Sequence, residues 1–490
     1  MRVLEARASG DAGTSSARLV STYFDTSDHA LSRQGLVLRV REHNGHFVQT
    51  VKSEDRASPT GLVRGEWQDA ISGARPDPQA SETGRFLAPE IVGRLIPLFR
   101  TEIARRTIAL ALAPDTHIEA AIDRGRVYAP AQDVGEPVCE VELELKSGPP
   151  AALYDIALDL LAVAPVRLEP RSKAARGYRL AASEAPAAAA VHAVAVDLDP
   201  RMSGDEALRR IGTACLAQIL HNEAAVLAGA AEGIHQMRVA ARRLRAVLSA
   251  FARMLPAEQR HLVSDELRWL AAALGPARNL DVFMTALLAP AQQAPAEPGI
   301  IALSEAAERQ RKAAYDKAAR AVRSRRYTAS LLRQLRWFES CGWRDGAASP
   351  GLEKPIGDLA VRILDLRRRA AKRRSKGFAR QSAPERHRLR IALKNLRYAT
   401  ELLGGLYEAD AVKRFTTRLK RLQDDLGEAN DVRVARDIIA VLAKPKGADA
   451  AIADAGAAVL DWHERHLAGR EHGLRKHLDR LLAAKPFWNR

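Results

Sequence analysis

The sequence predicts an α+β multidomain protein: an N-terminal antiparallel β-barrel, closed or incomplete, followed by an all-α domain of two duplicated helical bundles. Three observations predict it. Up to about residue 182 apolar and polar residues alternate with period two, and beyond about residue 200 the apolar period becomes 3.6. The segment His235-Gln-Met-Arg238-Val-Ala-Ala-Arg242-Arg-Leu-Arg245 then reappears 152 residues later as His387-Arg-Leu-Arg390-Ile-Ala-Leu-Lys394-Asn-Leu-Arg397. At 490 residues the chain exceeds one ordinary core, so two or three domains are expected.

In the first part, Leu36–Glu42, His46–Lys52 and Val138–Lys146 read as strands. Arg39 and Arg41 share a face opposite Leu38 and Val40; Glu140, Glu142 and Glu144 share a face opposite Val141, Leu143 and Leu145. A sheet lying flat on a core would turn such charges to water. Charges of both signs on several strands instead suit a sheet curled into a barrel, which gathers them in one lumen. Carboxylates hold Mg²⁺ or Mn²⁺ and arginine or lysine clamps phosphate oxygens, so the mixture is what a metal–triphosphate site requires.

Residues 183–200 form an Ala/Pro-rich linker with little to pack, separating domains at 1–182 and 201–489. In the second domain, steps of three, four and three place His235, Arg238, Arg242 and Arg245 on one helical stripe. His387, Arg390, Lys394 and Arg397 form the second stripe. The same offset carries Leu267–Gly275 onto Leu419–Gly427 and Leu208–Ile211 onto Ala360–Ile363, giving repeats at about 201–290 and 355–442. Two bundles related by an approximate twofold are the expectation. Gly275-Pro276, Gly299, Gly351, Pro355 and Gly427 are expected helix ends, with loops at Ala291–Gly299 and Gly342–Pro355. A three-helix stretch, Ile300–Ser340, has no clear counterpart in the second copy.

Charge is unevenly distributed. Residues 1–190 hold 23 Lys/Arg and 25 Asp/Glu, so the whole net charge of +17 resides in the helical part. Histidine and cations on one stripe are too costly to bury unpaired, and a polyanion is their natural partner. If the stripes share a groove, a linear phosphate chain can lie along it, held by arginine forks and lysine point charges. Metal ligation by His235 is disfavoured, because Arg238 and Val239 occupy the positions one turn on. The run Arg367–Lys376 circles its helix, so only part of it can face a groove. A nucleic-acid-binding basic module is a further class; it lacks a helix-turn-helix or RNP signature, and the 5% aromatic content offers few stacking platforms. Cys139, Cys215 and Cys341 are too scattered for a disulfide framework or a CxxC site, and no apolar run approaches ~20 residues. A cytoplasmic protein with no membrane partner is expected.

The first 180 or so residues resemble a CYTH domain, the triphosphate tunnel fold of inorganic triphosphatases. The resemblance rests on Ser21–Thr26, Leu38–Arg41, Gln49–Lys52, Arg105-Arg106, Glu119–Gly125, Glu140–Glu144 and Ser172–Tyr178. Residues from about 200 to 489 resemble a CHAD domain, a helical partner associated with inorganic polyphosphate, through the two His-x-x-Arg helices and the Leu-Gly motifs. The resemblance implies triphosphate binding by Arg39, Arg41, Lys52, Arg105 or Arg106, Lys173 and, less directly, Arg176. It implies Mg²⁺ or Mn²⁺ at Glu140 and Glu142, with Glu119 and Asp123 as further acidic candidates. Polyphosphate, and association with its granules, would fall to the helical stripes. One departure matters: the family opens with Glu-x-Glu-x-Lys, whereas Met1–Ser9 offers only Glu5 and Arg7. An incomplete metal site, with binding retained and turnover weakened or lost, is therefore expected.

Overall fold

The computed structural model describes residue 4 and residues 13–54, 64–113, 115–129, 135–182, 189–291, 299–345, 351–443, 450–468 and 471–489. Apart from Leu4, the opening segment 1–9 lies outside the described residues, and so does 183–188 of the linker. The chain divides into a strand-rich unit ending by Ala187, to which Leu331–Ser340 also belongs, and a helical unit made of the rest.

The strand-rich unit is one antiparallel sheet: β1 (Thr14–Asp25), β2 (Leu36–His43), β3 (His46–Glu54), β4 (Arg64–Ile71), β5 (Ile96–Ala113), β6 (Thr116–Tyr128) and β7 (Glu136–Ser147), in the order β4-β3-β2-β1-β5-β6-β7. Among the described residues β4 and β7 are not hydrogen-bonded to each other, so the barrel is left open along one seam. Residues of both edge strands nevertheless line one cavity: Glu66 and Gln68 from β4, Glu144 and Lys146 from β7. The sheet therefore curls without closing.

Its faces are inverted relative to an ordinary soluble sheet. Val37, Arg39 and Arg41 of β2 point into the cavity, while Leu38 and Val40 join Leu31, Leu87 and Ile91 in a core outside it. On β7, Glu142 and Glu144 point inward; Val141, Leu143 and Leu145 pack around Ile156 and Leu160 of helix α1 (Ala151–Val163). Period-two alternation permits this only because helices and loops cover the apolar side. Helix α2 (Lys173–Ala181) starts at Ser172, whose hydroxyl accepts from the Ala175 amide at 3.1 Å. Gly177 lets it lie on the Phe99 ring, since a Cβ there would come within 2.0 Å of Phe99 Cδ2. That docking aims Lys173 into the lumen.

The helical unit contains α3 (Gly204–His221), α4 (Ala231–Ala250), α5 (Ala257–Ala273), α6 (Gly275–Val282) and α7 (Gly299–Arg323). After α8 (Arg325–Glu339) come α9 (Ile356–Ser375), α10 (Ala383–Leu403), α11 (Ala409–Leu442), α12 (Ala450–Ala468) and α13 (Glu471–Ala483). Helices α3, α4 and α5 begin 152 residues before α9, α10 and α11. A local twofold is written in the backbone: Gly204 N donates to Lys354 O at 2.9 Å, and Ile356 N donates to Met202 O at 2.8 Å. Each bond is the other's image under the 152-residue offset, with Ser203 and Pro355 paired between them.

Four expectations need correction. Gly427 is no helix end; it lies inside the 34-residue α11. In the first copy Pro276, which lacks an N–H, follows Gly275, and the helix breaks between α5 and α6; Glu428 stands at that position in the second copy and the helix runs on. Ile300–Ser340 forms two helices, not three, parted at Ser324. The first of them does have a counterpart: one buried core joins Ile300, Leu303 and Ala307 of α7 to Ile452, Ala455 and Val459 of α12, position for position at the same offset. Two of those three pairs, Leu303 with Ala455 and Ala307 with Val459, differ in size, which hid the relation. Finally, the latter part of the linker is held, since Val191 exchanges hydrogen bonds with the Asn222 side chain at 3.0 and 2.8 Å and Leu198 is buried.

Leu244 and Leu396 are repeat equivalents, both fully buried on α4 and α10. Leu244→Ala and Leu396→Ala should each cost about 2–5 kcal/mol in urea unfolding, because each leaves a cavity in a closely packed bundle. A loss under about 1 kcal/mol for either would place that helix outside the common core.

Candidate functional site

The lumen of the sheet is a cavity of about 520 Å³. Its lining includes six cations (Arg39, Arg41, Lys52, Arg105, Lys146 and Lys173) and five carboxylates (Glu66, Glu119, Asp123, Glu142 and Glu144), so the site is nearly neutral as it stands. Arg105, from β5, grips Asp123 of β6 in two-pronged fashion at 2.8 and 2.7 Å and also bonds Glu142 of β7. Lys173 reaches Asp123 and Glu142, each at 2.7 Å, and also Glu140. Burial alone would raise the Glu142 carboxyl, but Lys173 and Arg105 bring it down to about 2.

The other side of the lumen is looser. Lys52 meets Glu66 at 2.7 Å. Arg39 donates to Thr50 Oγ1 at 3.1 Å and stands 3.7 Å from Glu66. Among the described residues Arg41 donates to Ser21 Oγ at 3.3 Å, and burial beside Arg39 lowers its guanidinium to about 10, still charged at neutral pH. Two arginines with little anionic company therefore face a ring of ion-paired groups.

Asp123, Glu140 and Glu142 each bring an oxygen to within 4.8 Å of the others. Hard carboxylate donors at that spacing fit Mg²⁺ or Mn²⁺. The Lys173 ammonium contacts all three and supplies the balancing charge. Three candidates fall outside the lining: Arg106, Arg176 and Glu140. Arg106 neighbours Arg105 on β5 and so takes the opposite sheet face. Arg176 is buried and paired with Glu140, which it pins from outside the cavity. Glu66 and Lys146 are the functional candidates that sequence reading missed; the alternation in Arg64-Gly-Glu66-Trp-Gln68 was the available signal for Glu66.

A second site lies within the helical unit, where α4 and α10 pack together. Arg242 is an electrostatic neighbour of Arg390 and Lys394 on the opposite stripe, and of Arg238 on its own. Arg278 of α6 adds its charge beside His235 and Arg238. Among the described residues, Arg238, Arg242, Arg278, Arg390 and Lys394 have no carboxylate at ion-pair distance. Arg390 and Lys394 sense Asp431, whose own carboxyl is raised by burial although Asn430, Arg390 and Lys394 oppose the shift. Burial and then Arg390, Arg242 and Arg397 draw the Lys394 ammonium down to about 7. Burial and Arg242 lower Arg238 to about 10.

The stripes are less uniform than their spacing suggests. His235 is held down to about 4 by burial and Arg278, and its buried Nδ1 has no hydrogen-bond partner among the described residues. The exposed His387 is lowered as well, by burial and Arg390. His235 is therefore a neutral hydrogen-bonding group at pH 7. Arg245 turns toward Arg268 and Asp265 of α5, and Arg397 pairs with Glu401 at 3.3 Å. Arg238 donates to Ala271 O at 2.6 Å and lies across Gly275, where a Cβ would meet its Nη1 at 3.0 Å. The Leu-Gly motif thus makes room for a groove arginine in the first copy; Gly427 has nothing comparable against it.

Comparison with known proteins finds both domains. Residues 2–178 match the family model described as the CYTH domain, and residues 210–440 that described as the CHAD domain. The inorganic triphosphatase of Haemophilus influenzae is 28% identical over 167 residues, covering 34% of this chain and 47% of that protein, so about half of that relative's length is spanned. The crystal structure of the CHAD domain from the plant Ricinus communis aligns over 61% of this chain and 98% of that one, at 28% identity and a TM-score of 0.53. PptA from Streptomyces chartreusis aligns over 58% of this chain and 99% of that one, at 19% identity and a TM-score of 0.43. The chain joins a CYTH domain to a CHAD domain. Among the described residues, no helix is long and apolar enough to cross a membrane.

Lys173→Ala should leave Asp123, Glu140 and Glu142 without their shared cation. The variant should melt lower than the parent in chelator and recover with Mn²⁺ more than the parent does. Equal melting temperatures in both media would show that the three carboxylates do not form one cation site.

Proposed function

We propose that this chain binds inorganic polyphosphate through the α4–α10 groove, and that its barrel accepts a triphosphate together with Mg²⁺ or Mn²⁺. The observation that carries the first half is the meeting of Arg242, Arg390 and Lys394, drawn from two repeats, with no carboxylate partner among the described residues. Like charges held half-buried and unpaired are costly, and a chain of phosphate oxygens relieves them all at once. Neutral His235, with a buried ring nitrogen lacking a partner, adds a hydrogen bond where further charge would add repulsion.

The barrel works by exchange of ions. Arg105, Lys52 and Lys173 are already occupied by carboxylates, so a triphosphate alone must break those pairs at a cost in Coulomb energy. A divalent metal on Asp123, Glu140 and Glu142 would release Lys173 and Arg105 toward phosphate oxygens. Metal and triphosphate then support each other's binding. The runner-up reading is a working metal-dependent triphosphatase. It is favoured by the same carboxylate cluster, which suits a metal-activated or carboxylate-activated water attacking a terminal phosphorus, with the cations spreading charge over a loose transition state. Phosphate release from tripolyphosphate in Mn²⁺ distinguishes the two.

Competition of long-chain polyphosphate against DNA and RNA at two salt concentrations tests the groove. Polyphosphate should win, with affinity falling steeply as salt rises. Arg242→Gln with Lys394→Gln should weaken it at least about tenfold and flatten the salt slope by roughly 1.4, using the single-strand figure of about 0.7 per phosphate contact. Unchanged affinity would end the groove reading, and preference for nucleic acid would replace it.

Lys394 also sets a pH dependence. Free, its ammonium sits at about 7; a bound polyanion favours the charged form and raises it. Binding therefore takes up a proton, and affinity should fall as pH rises from about 7 toward the usual lysine range near ~10. Lys394→Arg should bind equally well at pH 6 and pH 9. A wild-type profile as flat as that variant's would show that Lys394 stays charged.

A further inference from the structure

The basic run on α9 divides in two. Its first half serves the fold: Arg367 donates to Ser249 Oγ at 3.0 Å, and Arg368 donates to Leu482 O and Ala484 O at 2.9 and 2.8 Å, closing the end of α13. In the second half only Arg374 makes a comparable bond among the described residues, to Arg388 O. Lys372, Arg373, Arg374 and Lys376 are exposed, as are Arg380 and Arg388 just beyond. Among the described residues none of these six has an ion pair. The nearby carboxylate of Glu385 is engaged with Ser382 in a capping box.

The corner that carries them is well built. Gln381 Nε2 donates to Arg374 O at 2.7 Å and to Lys376 O at 3.0 Å, stopping α9. Gly377 makes the turn at φ 66°, Phe378 is buried beneath Arg386, and Arg374 donates to Arg388 O at 3.3 Å across the corner. The cations are thus presented on a fixed frame. Helix-dipole compensation accounts for part of them, since Lys372, Arg373 and Arg374 occupy the last turn of α9. It argues against Arg388, which stands near the positive start of α10.

The repeat supplies a control within the same chain. At the 152-residue offset, the six positions are Leu220, His221, Asn222, Ala224, Ala228 and Gln236, without one lysine or arginine. Leu220, Asn222 and Gln236 are buried there. The fold makes this corner without cations in the first copy, so the second copy's charge is not needed for folding. From Lys394 in the groove to Arg388 is six residues of helix, about 9 Å at 1.5 Å per residue, with the exposed His387 just beyond Arg388.

We infer that the exposed corner Lys372, Arg373, Arg374, Lys376, Arg380 and Arg388 is a second polyanion surface, which holds the length of a long phosphate chain that emerges from the groove past His387. This rests on the polyphosphate reading of the groove. It makes the groove the anchor and the corner the selector for chain length. The corner offers cations and no exposed aromatic ring, which suits a bare phosphate chain better than bases.

The test uses the full chain and three proteins: wild type, a corner variant (Lys372→Gln, Arg373→Gln, Lys376→Gln and Arg380→Gln) and the groove variant Arg242→Gln with Lys394→Gln. Each is titrated with long-chain polyphosphate and with a short chain no longer than the stripe His387–Arg397, about 15 Å. The corner variant should bind the short chain within about twofold of wild type and the long chain at least about tenfold more weakly, with a shallower salt slope. The groove variant should lose both. Equal loss of short and long chains by the corner variant, or loss of neither, overturns the inference while leaving the groove reading standing. A corner variant that loses duplex DNA binding but keeps long polyphosphate overturns it in favour of a nucleic-acid surface. Retention of both chains by the groove variant refutes the underlying function instead.

Discussion

The helical unit depends on keeping like charges together. Arg242, Arg390 and Lys394 meet half-buried with no carboxylate partner among the described residues, an arrangement that unfolding would relieve. Apolar burial around a local twofold opposes that tendency. Behind the stripes lie Leu244 and Leu396, both fully buried, and beyond them the shared core of α7 and α12. The paired hydrogen bonds of Gly204 and Ile356 tie the starts of the two copies to each other. Neither repeat could make the groove alone, because each contributes only one wall.

The barrel solves the opposite problem. Its charges are balanced at short range, with Arg105 and Lys173 sharing Asp123 and Glu142. Such a lumen is stable without a ligand, and it is selective, because a ligand must bring both signs to displace what is there. The proposed triphosphate with its metal would do so. The helical stripes thus hold unpaired like charges and the lumen holds balanced ones, so an anion would relieve repulsion in the first and would have to replace attraction in the second.

Duplication explains how the groove arose and also where its symmetry ends. Arg242 faces a lysine, Arg278 answers to Asn430, and Asn279 answers to Asp431. The first copy's wall is thus the more cationic, and the second holds Lys394, drawn down to about 7, and the buried Asp431. Pro276 breaks the helix on one side only, which brings α6 and Arg278 to the groove, whereas α11 runs straight past the equivalent point.

By itself, the sequence determined the two-part architecture, the strand faces and the two cationic stripes. Each is a matter of local period: side chains alternate along a strand and recur every three to four residues on a helix whatever lies around them. The 152-residue repeat was legible wherever identity survived, in His-x-x-Arg and Leu-Gly, and illegible in α7 and α12, where Leu303 answers to Ala455 and only the shared packing survives. Tertiary structure alone decided which members of each pattern meet. It turned Arg105 into the lumen and Arg106 away, sent Arg245 toward α5, placed Glu66 and Lys146 across an open seam, and left His235 neutral. Those outcomes depend on burial and on charges many residues distant, because the free energy of a charge is set by its surroundings in space and not by its neighbours along the chain.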